Sequence, residues 1–146
     1  MLTQTLSTFS RIGGRRIYPL PQIATLQTDG SFRPGRSAVA FILRNSAGNQ
    51  LLATTQPLYD ARSSTEAEWA SVAFGLHAAI RANEECIGIE NDCLGVIAAL
   101  TFPQTQLRHA YARHYRSKIL KDAAETIWTG LRWIPRRENR ADDLFR

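Results

Sequence analysis

The hydrophobic pattern of the chain changes its period after residue 59, and this change limits the possible folds more than any other feature of the sequence. Before it, three apolar segments at 23–32, 37–45 and 50–59 are separated by the short turn sequences RPGR and SAGN. Strand-like segments joined by such short turns predict an antiparallel meander. After it, apolar residues at helical spacing predict a helix over 65–82.

The remainder of the chain alternates between strand and helix patterns. The predicted elements are a buried strand at 86–92, a short helix at 93–100, a long helix over about 105–127, a strand at 130–135 and a short helix at 139–145. Three hairpin-linked strands followed by alternating helices and strands imply one mixed sheet with helices over its faces. We therefore predict an α/β (α+β) fold with a five-stranded mixed sheet, in which three antiparallel strands come first.

The length of 146 residues predicts one domain. We place this domain at 23–146 and expect residues 1–22 to form a basic N-terminal lead-in, because they contain no acid and lack clean periodicity. No run of about 18 apolar residues occurs, so we expect no membrane span. The two cysteines, Cys86 and Cys93, form no disulfide framework or metal-binding pattern. We expect a cytoplasmic monomer.

The net charge of +5 and the pI near 9.8 come mainly from arginine. Arginines cluster in RIGGRR (11–16), RHAYARHYRSK (108–118) and RRENR (136–140). Clustered positive charge indicates a polyanionic partner, of which nucleic acid is the most plausible, whereas a solvated basic surface is the alternative.

Several acids fall at element positions that a mixed sheet can bring together. They are Asp29 in the first strand, Asp92 at the end of the fourth, Glu66 and Glu68 at the start of the first helix, and Asp142 and Asp143 near the C-terminus. A cluster of carboxylates raises its own pKa values unless divalent cations fill it. Two such ions can stabilise the attacking and leaving oxygens of a phosphoryl displacement. The alternative for Asp29 and Asp92 is a structural role in turns.

The local sequence pattern does not distinguish the roles of the two glutamates of the first helix. Both Glu66 and Glu68 fit the Ser/Thr-x-x-Glu pattern of a capping box. The small residues Ser71 and Gly75 lie on the side of Glu68, where we expect them to leave room for a metal ion or phosphate.

Four segments in order resemble the type 1 ribonuclease H family of the RNase H-like superfamily. They are TDGS (28–31), AEWASVAFGL (67–76), IENDC (89–93) and WIPRRENRADDL (133–144). The resemblance covers about residues 23–146 and implies an RNase H-like fold in that catalytic domain. It also implies an endonuclease that cuts the RNA strand of RNA–DNA hybrids with two Mg²⁺ or Mn²⁺ ions, leaving a 5′-phosphate and a 3′-hydroxyl.

The resemblance assigns catalytic metal ligands position by position: Asp29, Glu68, Asp92 and Asp142. Glu66 is the alternate for the helix position. The segment NRADDL is one residue shorter than the family pattern, so counting from Ala141 gives Asp142 and counting from Asn139 gives Asp143.

The resemblance also places five residues at the substrate: Gly30, Ser31, Ser64, Thr65 and Arg137. Gly30 is expected to let the backbone approach RNA. Ser64 and Thr65 replace an asparagine pair that contacts the DNA strand in the family. Arg137 stands near the position of a loop histidine, and arginine cannot act as a general base near neutral pH.

Two other functions remain open on the same residues. One is a different nuclease of this fold, such as a junction resolvase or an exonuclease. The other is a nucleic-acid-binding module whose activity has decayed, which the shortened NRADDL segment and the missing histidine would favour.

Overall fold

The computed structural model of the chain describes residues 9–146. Six strands in this range form one mixed sheet, in the order β1-β6-β5-β2-β3-β4. The strands are β1 Ser10–Gly13, β2 Ala24–Ser31, β3 Ala38–Arg44, β4 Gln50–Pro57, β5 Cys86–Asn91 and β6 Trp128–Trp133. β2, β3 and β4 form the predicted antiparallel meander, and β5 runs parallel to β2 and β6. The mixed sheet is therefore confirmed.

The predicted number of five strands is wrong, because β1 lies inside the segment 1–22 and joins the sheet antiparallel to β6. Just before β1, Phe9 is buried edge-to-face against Trp128, with ring centroids 6.3 Å apart. A Cβ at Gly88 would meet the Phe9 ring at 2.4 Å, so the glycine makes room for this aromatic residue. The sheet thus extends into the residues expected to be a lead-in.

Three α-helices and two 3₁₀ segments complete the described residues. The helices are α1 Ser64–Arg81, α2 Leu94–Thr101 and α3 Ala110–Ala124, and the 3₁₀ segments are Arg136–Glu138 and Arg140–Phe145. The predicted long helix begins later than expected, because the side chains of Arg113 and Arg116 donate to the carbonyls of Leu107 (2.7 Å) and Thr105 (2.6 Å) and hold this stretch as a loop. None of the helices in the range 9–146 is long and apolar enough to cross a membrane.

The main core lies between the sheet and the helices. Its largest fully buried side chains include Leu26, Phe41, Leu76, Ile89 and Ile119. The opposite face of β2, β3 and β4 is covered by the segment Arg140–Phe145, which we call the C-terminal segment. The fold therefore places acids from both faces of the sheet near one end of β2.

Helix α1 approaches strand β2 closely through two glycines. A Cβ at Gly75 would lie 2.8 Å from Thr28 Cγ2, and a Cβ at Gly30 would lie 2.3 Å from the backbone carbon of Ala67. Ser71 is fully buried and donates to the Glu68 carbonyl at 2.7 Å. The expectation that Ser71 and Gly75 leave room for a metal ion is therefore wrong, since both pack within the fold.

Candidate active site

Three carboxylates converge where strands β2 and β5 separate. The parallel pairing of these strands ends at Gln27 and Glu90, so Asp29 and Asp92 lie just beyond the paired region. Glu68 reaches the same place from α1. Ligand oxygens of Asp29, Glu68 and Asp92 all lie within 4.8 Å of one another. The three residues form an acidic triad that offers only hard oxygen ligands.

The start of α1 separates the roles of its two glutamates. The Glu66 backbone N–H donates to Ser63 Oγ at 3.1 Å, and Glu66 Oε1 accepts from the Arg62 backbone N–H at 3.0 Å. Glu66 thus caps the helix. Glu68 Oε1 instead accepts from the Gly30 backbone N–H at 2.9 Å, which ties it to strand β2 beside Asp29.

Burial and mutual repulsion raise the pKa values of the triad. Asp29 is only 5% exposed, and burial, together with the charges of Glu68 and Asp92, raises its pKa to about 9. Burial also raises the pKa of Glu68 and that of Asp92, although the hydrogen bond from Asn139 opposes the shift at Asp92. Without a cation the triad therefore retains a proton near neutral pH, because a proton lowers the repulsion between buried carboxylates.

Asp142 lines the same cavity as the triad, and its carboxyl group and that of Asp29 shift each other's pKa. Arg146 Nη2 lies 3.1 Å and Arg136 Nη2 3.6 Å from its carboxylate. Although partial burial acts to raise it, the pKa of Asp142 is lowered by the hydrogen bond with Asp29 and by these two guanidinium groups.

Asp143 has a different environment. It pairs with Arg140 at 3.6 Å and its side chain is 55% exposed. The cavity around the triad is lined by Asp142 and not by Asp143. The geometry therefore favours Asp142 as the fourth acid.

The cavity has a volume of about 640 Å³ and contains most of the residues expected at the substrate. Gly30, Ser31 and Ser64 line it, whereas Thr65 and Arg137 do not. The cations on its wall are Arg33, Arg136 and Arg146. A Cβ at Gly30 would meet the backbone of α1, so the glycine is required for helix packing, and its expected approach to RNA stays a prediction.

A network of polar side chains joins the C-terminal segment, which carries Asp142, to strand β2. Gln27 Nε2 donates to Glu90 Oε1 at 2.9 Å and to the Glu138 carbonyl at 3.2 Å, and Gln27 Oε1 accepts from the Arg140 backbone N–H at 3.0 Å. Arg132 Nε donates to the other oxygen of Glu90 at 2.8 Å. The sequence analysis missed this network, because its members come from three strands and the two 3₁₀ segments.

Two asparagines that the sequence analysis did not assign to the site also contact the triad. Asn91 donates to Glu68 and Asn139 donates to Asp92, and both side chains are almost fully buried. The available signal was the position of each asparagine: Asn91 directly follows the strand sequence CIGIE, and Asn139 directly precedes the C-terminal segment.

The sequence profile of a family described as reverse transcriptase-like matches residues 27–145, which include the triad and Asp142. The chain belongs to the reverse transcriptase-like family. No curated protein matches it. Solved structures similar to this chain include three ribonucleases H, and the predicted RNase H-like fold is thereby confirmed.

Three of these structures cover 84% of this reverse transcriptase-like chain. RNase H1 from the halophilic archaeon Halobacterium salinarum NRC-1 is 24% identical, with a TM-score of 0.73 over 93% of its own chain. The N-terminal RNase H domain of rv2228c from Mycobacterium tuberculosis, solved as a maltose-binding-protein fusion, is 18% identical, with a TM-score of 0.75 over 89% of that chain. LC11-RNase H1, solved in complex with an RNA/DNA hybrid, is 18% identical, with a TM-score of 0.71 over 92% of its chain.

Proposed function

We propose that this protein is an endoribonuclease that cleaves the RNA strand of RNA–DNA hybrids and leaves a 5′-phosphate and a 3′-hydroxyl. The observation that carries the proposal is the acidic triad, which lies in an open cavity of a basic protein with the RNase H fold. A hybrid complex of LC11-RNase H1 supports the choice of substrate for this chain.

The residues that would hold divalent ions are Asp29, Glu68, Asp92 and Asp142. Their all-oxygen donor set suits Mg²⁺ or Mn²⁺, and the raised pKa values of the triad fit a site that is completed by positive charge. Two bound ions supply Lewis-acid stabilisation of the attacking and leaving oxygens of the phosphodiester.

The cavity wall supplies the groups that bind and orient the substrate. Arg33, Arg136 and Arg146 can pair with backbone phosphates, and the hydroxyl groups of Ser31 and Ser64 can donate hydrogen bonds. In this proposal Arg136 contacts the substrate in the place expected of Arg137, because Arg136 lines the cavity and Arg137 lies outside it.

Proton transfer to the leaving oxygen is left to solvent in this proposal. Among residues 9–146 no histidine lines the cavity, and a guanidinium group such as that of Arg136 does not serve as a general acid or base near neutral pH. We therefore expect the same cleavage reaction at a lower rate than in ribonucleases H that carry the loop histidine.

Helix α3 extends the positive surface. Arg113 is exposed and Arg116 half-buried, and both donate to loop carbonyls; the exposed Lys118 and Lys121 follow them on the same helix. Because phosphate contacts release counterions, binding of the hybrid should weaken steeply with salt.

The test is a gel assay with a hybrid labelled on its RNA strand, in Mg²⁺ and separately in Mn²⁺. We expect wild-type protein to cut the RNA strand, Glu68→Gln to lose cleavage, and Glu66→Gln, the matched control from the same helix turn, to retain it. An intact RNA strand in both metals, with folded protein that still binds hybrid, would instead indicate a decayed binding module. Preferred cleavage of branched or single-stranded DNA would indicate another nuclease of this fold.

A further inference from the structure

The gap between β2 and β5 is bridged by two side-chain amides. Backbone pairing between the strands ends at Gln27 and Glu90, and the next carbonyl on β2, that of Thr28, accepts from two asparagines. Asn91 Nδ2 lies 3.1 Å from this oxygen and Asn139 Nδ2 lies 2.8 Å from it. The two amides therefore meet one residue before Asp29.

Asn91 is fully buried and both ends of its amide are used. Its Nδ2 also donates to Thr28 Oγ1 at 2.9 Å and to Glu68 Oε2 at 3.3 Å, while its Oδ1 accepts from the Cys93 backbone N–H at 2.7 Å. One side chain thus joins strand β2, the carboxylate from α1 and the turn that carries Asp92.

Asn139 makes the corresponding contacts from the other side. It is 2% exposed, and its Nδ2 also donates to Asp92 Oδ2 at 3.4 Å. Its Oδ1 accepts from the Ala141 backbone N–H at 3.1 Å, which caps the C-terminal segment that holds Asp142. The same side chain therefore links Asp92 to the placement of the fourth acid.

We propose that Asn91 and Asn139 are positioning residues that hold Glu68 and Asp92 at the separation required to bind divalent ions. The inference rests on the proposed function, in that the triad is taken as the metal site. Three adjacent carboxylates repel one another and would turn apart without fixed donors. A neutral amide can orient a carboxylate without supplying the positive charge that a lysine or arginine would place there in competition with the ion.

Hydrogen-bond partners behind metal ligands typically contribute about 10–100-fold in metal affinity. A merely structural role for the two asparagines, as fillers of the gap between strands, would lower thermal stability but leave metal affinity unchanged once the protein is folded. The two roles can therefore be separated by measuring both quantities.

The experiment compares Mn²⁺ affinity, by titration calorimetry well below the melting temperature, with the melting temperature of the metal-free protein. The variants are Asn91→Ala and Asn139→Ser, since serine keeps a helix-capping oxygen but cannot reach Asp92. Asn91→Ser replaces Asn91→Ala if the alanine variant does not fold. Thr129→Val is the control, because it removes a fully buried 2.7 Å hydrogen bond to Thr126 remote from the triad.

We expect the asparagine variants to bind Mn²⁺ about tenfold more weakly or worse, and Thr129→Val to bind it as wild type does despite a lower melting temperature. The double variant should lose less than the sum of the single losses, because both amides share the Thr28 carbonyl. Wild-type Mn²⁺ affinity in both folded asparagine variants would overturn the inference. Cleavage of hybrid by wild-type protein tests the proposed function separately, so Mn²⁺ binding without cleavage would remove that function and leave the positioning role standing.

Discussion

The backbone N–H of Gly30 donates a 2.9 Å hydrogen bond to Oε1 of Glu68, and this contact joins the strand and the helix that supply two of the triad carboxylates. It forms because α1 lies directly on β2 at this point, where a Cβ would be 2.3 Å from the Ala67 backbone carbon. The glycine and the glutamate are therefore one structural unit.

Substituting Gly30 should damage both stability and activity. Gly30→Ala forces α1 away from β2, and overpacking of this kind costs about 1–3 kcal/mol. Chemical denaturation and the hybrid-cleavage rate measure the two effects. Gly95→Ala is the matched control, because a Cβ in that exposed part of α2 meets nothing within 4 Å and should stabilise the helix by about 0.5–1 kcal/mol. Equal stability of the two variants would contradict the prediction.

The stability of the metal-free protein should fall as pH rises. The pKa of Asp29 is about 9 in the folded protein, whereas an aspartate in the unfolded chain has its ordinary pKa of 3.8. Between pH 3.8 and pH 9 the folded state therefore binds more protons than the unfolded state. The contribution of Asp29 to the free energy of unfolding is therefore fully present below about pH 4. It falls progressively as the pH rises to about 9. Asp29→Asn should raise stability at pH 8 by about 1–3 kcal/mol.

Denaturation in EDTA at pH 5 and pH 8 measures this effect. Adding Mg²⁺ at pH 8 should raise the stability of the wild-type protein, because bound ions stabilise the folded state. It should not raise the stability of Asp29→Asn, which lacks one of the four carboxylate ligands. The same pH dependence in both proteins would show that Asp29 is not the protonated group.

The neighbouring acids Asp142 and Asp143 should differ in their effect on cleavage. Asp142→Asn should lower kcat by about 100-fold, because a metal ligand contributes several kcal/mol to the stabilisation of transition-state charge. Asp143→Asn should stay within about twofold of wild type, since exposed ion pairs such as Asp143–Arg140 contribute little. Steady-state kinetics with a saturating hybrid measures both, and the reverse order would move the fourth ligand to Asp143.

Gln27 should affect the site from a distance. Gln27→Leu leaves the buried Glu90 and the backbone groups of Glu138 and Arg140 without their amide partner, which costs about 1–3 kcal/mol. Hydrogen exchange should then increase at residues 136–146, and kcat should fall while KM for hybrid changes little. Unchanged exchange in this segment would show that the network does not hold it.

The meander and α1 could be predicted from sequence because their patterns are local. Each of the segments 23–32, 37–45 and 50–59 carries enough apolar residues and turn signals to define a strand by itself, and α1 has a clear helical spacing and a cap at Ser63. Strand β1 gave no such signal, because its four residues become a strand only by pairing with β6.

The residue types of the site were visible in the sequence, but several of their functions in the fold were not. The close contact of Gly30 with α1 was not visible in the sequence, and Arg136 lines the cavity where Arg137 was expected. Arg136 and Arg137 lie in a 3₁₀ segment, where a one-residue difference turns a side chain by about 120°.

The sequence by itself determined the order of the strands and helices that follow β1, the basic charge and the identity of the acids, because these depend on residues close together in the chain. Only the tertiary structure decided which acids share a cavity, that Glu66 caps a helix while Glu68 meets Asp29, and that two asparagines bridge the separated strands. Except for the local contacts of Glu66 with Arg62 and Ser63, these relationships join residues more than 20 positions apart. Their distances depend on how closely α1 and the C-terminal segment pack on β2.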